Sequence, residues 1–198
     1  MIDDGCTGSF VGRWRHQYLG GVLRLFFDLD GVLADFDNAV KDITGRVPAE
    51  LSPKEMWSRL ARAPGFYEHL DWMPGGRALW EYVRQLEPTI LTGLPMGRWA
   101  EPQKRAWCAR ELGPDVPVIT CMSRDKASRA REATPEGATP VLVDDRLRFR
   151  DRWEAVGGIF VHHTDAWSSA LRVAEIYSIP APDRSEFSGD SRCSSRIE

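Results

Sequence analysis

With 198 residues, 42% of them hydrophobic and 28% charged, the chain is long enough for one well-buried domain with a small insertion, and its composition is neither disordered nor fibrous. A formal net charge of −3 provides no broad basic field for a nucleic acid polymer, and no apolar run approaches the roughly 18 residues that a membrane span requires. Cys6, Cys108, Cys121 and Cys193 include no Cys-x-x-Cys pair, so neither a zinc knuckle nor a disulfide framework is indicated, and a cytoplasmic location is expected.

Residues 1–20 carry Gly5, Gly8, Gly12 and Gly20 without periodicity and are predicted as a loose extension ending in a short paired segment. Asp3 and Asp4, with no apolar stretch before residue 21, argue against a signal peptide. From Val22 to Phe27 only Arg24 interrupts an apolar run, which predicts a buried strand. It runs into Asp28-Leu29-Asp30-Gly31-Val32-Leu33-Ala34-Asp35, and two carboxylates at the end of a buried strand require a cation, a hydrogen-bond network or open water. Asp35 to Ile43 is predicted as a helix stopped by Gly45.

From Val47 to Gly76 the chain is punctuated by Pro48, Pro53, Pro64 and Pro74, with a helical piece over Pro53 to Ala63, which predicts an inserted helical cap. Ala78, Leu79, Tyr82, Val83 and Leu86 recur at helical spacing. Thr89-Ile90-Leu91 is predicted as a second strand, ending at Thr92-Gly93, and Ala100 to Leu112 as a helix closed by Gly113-Pro114. Val116 to Cys121 predicts a third strand, with Lys126 in the loop or first helical turn beyond it. Val141 to Val143 predicts a fourth, stopping at Asp144-Asp145, and Gly158 to Val161 a fifth, stopping at His162-His163.

Strands alternating with helices, and no hairpin signal between them, predict a doubly wound, Rossmann-like α/β fold with a parallel sheet. The expected division is a loose extension over 1–20, an α/β core over 21–35 and 88–180, a helical cap over 36–87 and a disordered tail over 181–198, where serines and charges dominate.

Ligands of an open parallel sheet bind at the carboxyl ends of its strands, and the polar residues fall there. Asp28 and Asp30, Thr92 and Gly93, Lys126, and Asp144 and Asp145 follow four successive strands. Crowded carboxylates repel, a conflict that Mg²⁺, a hard cation that takes oxygen ligands, resolves. A hydroxyl, backbone amides and an ammonium supply the donors that a phosphoryl group needs. Asp144 and Asp145 also suit a helix N-cap, since Leu147 to Trp153 has helical character. Lys104, on the helix after the second strand, competes with Lys126 as the phosphate lysine. His162 and His163 point to opposite sides of an extended segment with no third ligand near, so rim or structural roles are expected. Phe36, Phe66, Tyr67 and Trp72 are the aromatic candidates to stack on a nucleobase, against the alternative that they pack the cap interior. Arg146, Arg148, Arg150 and Arg152 read as a solvated face.

Taken together, these motifs resemble those of the haloacid dehalogenase (HAD) superfamily of phosphohydrolases: Asp28 to Leu33 its first motif, Thr92 its second, Lys126 its third, and Asp144-Asp145 its fourth. The resemblance implies a HAD-like sheet with the cap inserted after the first strand. It implies Asp28 as nucleophile, Asp30 as general acid and base, Thr92, Gly93 and Lys126 around the phosphate, and Mg²⁺ held by Asp28, the backbone carbonyl of Asp30, and Asp144, with Asp145 beside them. Within the superfamily the chain looks most like the 5′(3′)-deoxyribonucleotidase group, through Gly65-Phe66, Pro74-Gly75, Lys104 to Trp107, Gly113 to Asp115 and Arg124 to Lys126. That implies a nucleoside monophosphate substrate, bound in part by Phe36, Phe66 and Trp72, with a homodimer compatible. The alternatives are a phosphatase of sugar phosphates or other small esters, and a noncatalytic binding protein with the same fold.

Overall fold

The computed structural model describes residues 17–18 and 21–188. Among the described residues six strands form one sheet: β1 (Gln17–Tyr18), β2 (Gly21–Phe27), β3 (Thr89–Gly93), β4 (Val118–Cys121), β5 (Ala138–Asp144) and β6 (Ile159–His162). Five are parallel, in the order β4-β3-β2-β5-β6, and β1 adds an antiparallel pair to the start of β2. β5 lies along β2 from Val22 to Phe27, whereas β3 meets only Phe26 and Phe27, which leaves room for β1 on the β3 side.

The period-two alternation of side chains divides the core between the two faces of the sheet. Leu25, Phe27, Ile90, Val141, Val143 and Val161 face one layer, where they pack with buried residues of α3 (Gly76–Val83), α4 (Ala100–Glu111) and α7 (Ala166–Tyr177). Phe26, Leu91, Leu142 and Phe160 face the other, against Ala130 of α5 (Lys126–Ala133) and Trp153 of α6 (Arg150–Glu154). Helices on both faces make this an α/β fold compatible with a Rossmann-like, doubly wound sheet.

Among the parallel strands the chain starts at the centre in β2, moves outward through β3 and β4, then crosses back to β5 and on to β6. The direction therefore reverses between β2 and β5, and the crevice at the carboxyl ends of those two strands is where such a sheet binds its ligand.

Local signals account for the helix ends. Asp35 caps α1 (Phe36–Thr44) by accepting from the Asn38 N–H, and Gly45 closes it at φ 74°. Ser52 caps α2 (Pro53–Leu60), with Pro53 in its first turn. β5 begins at Ala138, three residues before the expected Val141, and passes through Pro140, whose carbonyl accepts from the Trp153 indole N–H.

Two expected boundaries require correction. The segment 36–87 is not one cap: α1 and α2 pack on each other, but α3 lies against α7 and belongs to the helical layer on the sheet, because Leu79, Trp80 and Val83 bury against it. The disordered tail expected over 181–198 fails for its first eight residues. A short 3-10 helix forms over Arg184–Phe187, Pro182 is buried and Phe187 packs edge-on against Trp167. Two apolar residues in a polar stretch suffice to anchor it; residues 189–198 of that expectation, and 1–16 of the extension, lie outside the described residues.

Candidate active site

Asp28 is the first residue beyond β2, and its N–H continues the ladder to the Val143 carbonyl of β5 at 2.9 Å. Asp144 ends β5, fully buried, with Asp145 next to it. The register between β2 and β5 thus brings residues far apart in sequence to one point. Oxygens of Asp28, Asp144 and Asp145 all lie within 4.8 Å of one another.

Lys126 opens α5 on the same side of the sheet, and its Nζ stands 2.7 Å from Asp28 Oδ2 and 2.7 Å from Asp144 Oδ2. Burial disfavours the charged form of Lys126, but the two carboxylates outweigh it and its pKa is raised. Asp144 is raised by burial and by Asp28, against the pull of Lys126. Asp145 is pushed up to about 7, chiefly by burial and then by Asp28 and Asp144, and its Oδ1 is buried without a hydrogen-bond partner among the described residues.

Asp30 belongs to a second, separate arrangement. Its carboxyl turns to Lys104 of α4, whose Nζ lies 2.6 Å from Asp30 Oδ2, 2.9 Å from Thr92 Oγ1 and 2.9 Å from the Gly93 carbonyl. Burial raises the Asp30 pKa, Lys104 opposes it, and the negative charge of Asp28 adds to it. Thr92 Oγ1 accepts from Lys104 and keeps its own O–H for another acceptor.

Two glycines are required here by close approach. A Cβ on Gly31 (φ 75°) would stand 2.8 Å from Asp145 Oδ2, and one on Gly93 would stand 2.2 Å from Ser123 Oγ. Gly31→Ala is therefore expected to destabilise the protein by about 1–2 kcal/mol from the left-handed conformation alone, and to displace Asp145. A urea denaturation midpoint matching wild type would refute it.

Neither protein-family models nor curated proteins match this chain.

The donor set of Asp28, Asp144 and Asp145 is all oxygen, and the unpartnered Asp145 Oδ1 is an acceptor in want of a positive partner; both suit a hard divalent cation such as Mg²⁺. The Asp30 side chain stands outside that group, turned to Lys104. A cation binding Asp145 must displace its proton, so Mg²⁺ affinity is expected to rise roughly tenfold per pH unit up to a pH of about 7 and to level off above it. Without the cation the sign reverses: a carboxyl whose folded pKa is raised contributes stability that is full below its unfolded value of 3.8 and lost as pH rises through about 7. Mg²⁺ titrations of the melting temperature at pH 6 and pH 8 check both; equal midpoints would remove Asp145 from the cation site.

The aromatic candidates fare differently. Phe36 (4% exposed) and Phe66 (5% exposed) pack edge-on at 5.7 Å within a cluster that includes Trp57 and Tyr67, so they fill the interior of the helical segment and offer no open face to a base. Trp72 is held by Trp107, by Arg77 over its ring and by an N–H donated to Glu111 at 2.8 Å. All three pack against neighbouring side chains, Phe36 and Phe66 buried and Trp72 half-buried. Tyr67 covers the lysine that holds Asp30: its ring lies 4.4 Å from Lys104 Nζ, and its hydroxyl is buried without a partner among the described residues.

Arg146 was expected on a solvated face and is half-buried at the site. Its backbone N–H donates to Asp144 Oδ1 at 2.8 Å. Burial works against the guanidinium charge, but Asp28, Asp145, Asp30 and Asp144 outweigh it, and its pKa is raised. Its place directly after Asp144-Asp145 was the available sequence signal. His162 meets the Asp145 carbonyl at 3.1 Å and His163 meets Ser169 at 2.8 Å, so neither joins the acid group. Burial lowers the His163 pKa to about 4, which keeps it neutral.

Proposed function

We propose that the protein is a Mg²⁺-dependent phosphomonoester hydrolase of the HAD type, working through an aspartyl-phosphate on Asp28. The observation that carries this reading is the separation of two carboxyls only two residues apart into different environments: Asp28 with Lys126 and the Asp144–Asp145 pair, Asp30 with Lys104. Two acids set in different surroundings are how one site holds a nucleophile and a proton donor together. Asp28, Asp144 and Asp145 would hold Mg²⁺, which when bound would offset the charge of the acids and of a phosphoryl oxygen.

The chain's own residues then have distinct tasks. Asp28 attacks phosphorus and forms the P–O bond as the ester bond breaks, while protonated Asp30 gives its proton to the departing oxygen. Asp30, now a carboxylate, takes a proton from the water that displaces Asp28 and releases phosphate. Lys126 uses two donors on Asp28 and Asp144 and has a third for a phosphoryl oxygen. Thr92 supplies an O–H, and Arg146 adds positive charge at the rim.

A nucleoside monophosphate is the favoured substrate on the motif resemblance. The engagement of Phe36, Phe66 and Trp72 in packing favours, as a second reading, a smaller ester such as a sugar phosphate. Phosphate release from a panel of nucleotides, sugar phosphates and simple esters with Mg²⁺ tests both. A preference for nucleotides supports the first and a flat profile the second, whereas no release from any ester would favour a binding protein.

A further inference from the structure

We propose that Lys104 is a positioning residue, which holds the Asp30 carboxyl by Oδ2 so that Oδ1 is the oxygen that exchanges a proton with the substrate. The assignment rests on the phosphatase reading above.

A lysine ammonium has three donors, and those of Lys104 are all committed, to Asp30 Oδ2, Thr92 Oγ1 and the Gly93 carbonyl. Its side chain is 0% exposed, and the Tyr67 ring covers it at 4.4 Å. Such an amine reaches a phosphoryl oxygen only by giving up a bond it already has. Lys126 retains a donor after its two contacts, so the two lysines divide the work.

The helix that carries Lys104 is itself fixed. Gln103 Oε1 accepts from the Tyr67 N–H at 2.9 Å, and Trp107 donates its indole N–H to the Leu70 carbonyl at 2.8 Å. α4 thereby brackets the loop that supplies the Tyr67 lid and presents Nζ to the end of β3. Asp30 lies on a loop beyond β2, so its tie to Nζ selects one orientation of its carboxyl. The consequence is visible at the other oxygen: Asp30 Oδ1 is buried and has no hydrogen-bond partner among the described residues. A buried acceptor without a partner is unfavourable in a resting protein, and here it is the oxygen left for the reacting group. When the P–O ester bond breaks, the proton on Oδ1 passes to the leaving oxygen; when water attacks the aspartyl-phosphate, the same oxygen takes the proton back.

The test compares two esters that share a phosphate and differ in leaving group. A nitrophenolate departs from p-nitrophenyl phosphate without protonation, whereas the alkoxide of a nucleoside 5′-phosphate or glycerol phosphate needs a proton. Lys104→Met is expected to lower kcat on the alkyl ester by about 100-fold more than on the nitrophenyl ester, the low end of what a placed general acid supplies. KM and inhibition by inorganic phosphate should stay near wild type. Lys104→Gln, which keeps a donor for Asp30, should show a smaller split and serves if the Met variant loses its circular dichroism signature. Equal losses on both esters, or weakened inhibition by phosphate, would make Lys104 a phosphate ligand and overturn the assignment alone. Wild-type protein inactive on both esters would overturn the phosphatase reading and the assignment with it.

Discussion

Asp28→Asn is expected to abolish turnover, lowering kcat by roughly 10⁴-fold or more, about 5.5 kcal/mol at 1.36 kcal/mol per decade. The amide keeps the shape of the carboxyl, so the loss comes from chemistry: an amide oxygen does not form a stable covalent intermediate with phosphorus. The fold should survive the change. Lys126 retains Asp144 at 2.7 Å, and removal of one negative charge relieves Asp144 and Asp145, whose pKa values Asp28 helps to raise. The melting temperature is therefore expected to hold or to rise while activity disappears. Single-turnover phosphate release and thermal melts on the same preparation check the pair, and near wild-type turnover would refute the covalent mechanism.

Lys126→Met should have the largest effect on stability. Both carboxylates it bridges are buried, and removing one partner of a buried ion pair costs about 3–5 kcal/mol. At roughly 2–4 °C per kcal/mol for a domain of this size, the melting temperature should fall by about 6–20 °C. The loss should deepen as pH rises, because acids left without a cation stay buried more readily when protonated, and a raised folded pKa contributes stability that disappears with increasing pH. Mg²⁺ should recover part of it by binding the folded state, by about 2.7 kcal/mol at a hundred times its dissociation constant. Thermal melts at pH 5 and pH 8, with and without Mg²⁺, check the sign of both terms. A pH-independent loss that Mg²⁺ does not reduce would show that Lys126 serves packing and not charge neutralisation.

Much of the core strand pattern was legible because it obeys period two with apolar residues on both faces: Leu25 and Phe27 to one layer, Phe26 to the other. The polar residues at three strand ends were equally legible, since Asp28, Thr92 and Asp144 end runs that otherwise bury, whereas Lys126 follows a polar stretch and had Lys104 as a competitor. The aromatic segment was not. Phe36, Phe66 and Trp72 have the composition of a ligand wall and that of a small core alike, and their packing, Phe36 on Phe66 and Trp72 on Trp107, appears only in the tertiary structure. Arg146 was lost in an alternating basic run whose neighbours Leu147 and Arg148 are exposed while it turns inward.

The carboxylates at the end of a buried strand, and the alternation of strands with helices, are properties of the sequence alone. Desolvation makes charge in such a place too unfavourable to be incidental. The division of labour between the lysines is not. Lys104 and Lys126 are the same residue type on helices that follow adjacent strands, and which carboxylate each meets depends on the face of the sheet from which it approaches. α4 lies on the face that Thr92 shares, and α5 on the face of Asp28 and Asp144. That choice is set by the direction of each crossover between strands, which no local stretch of residues contains.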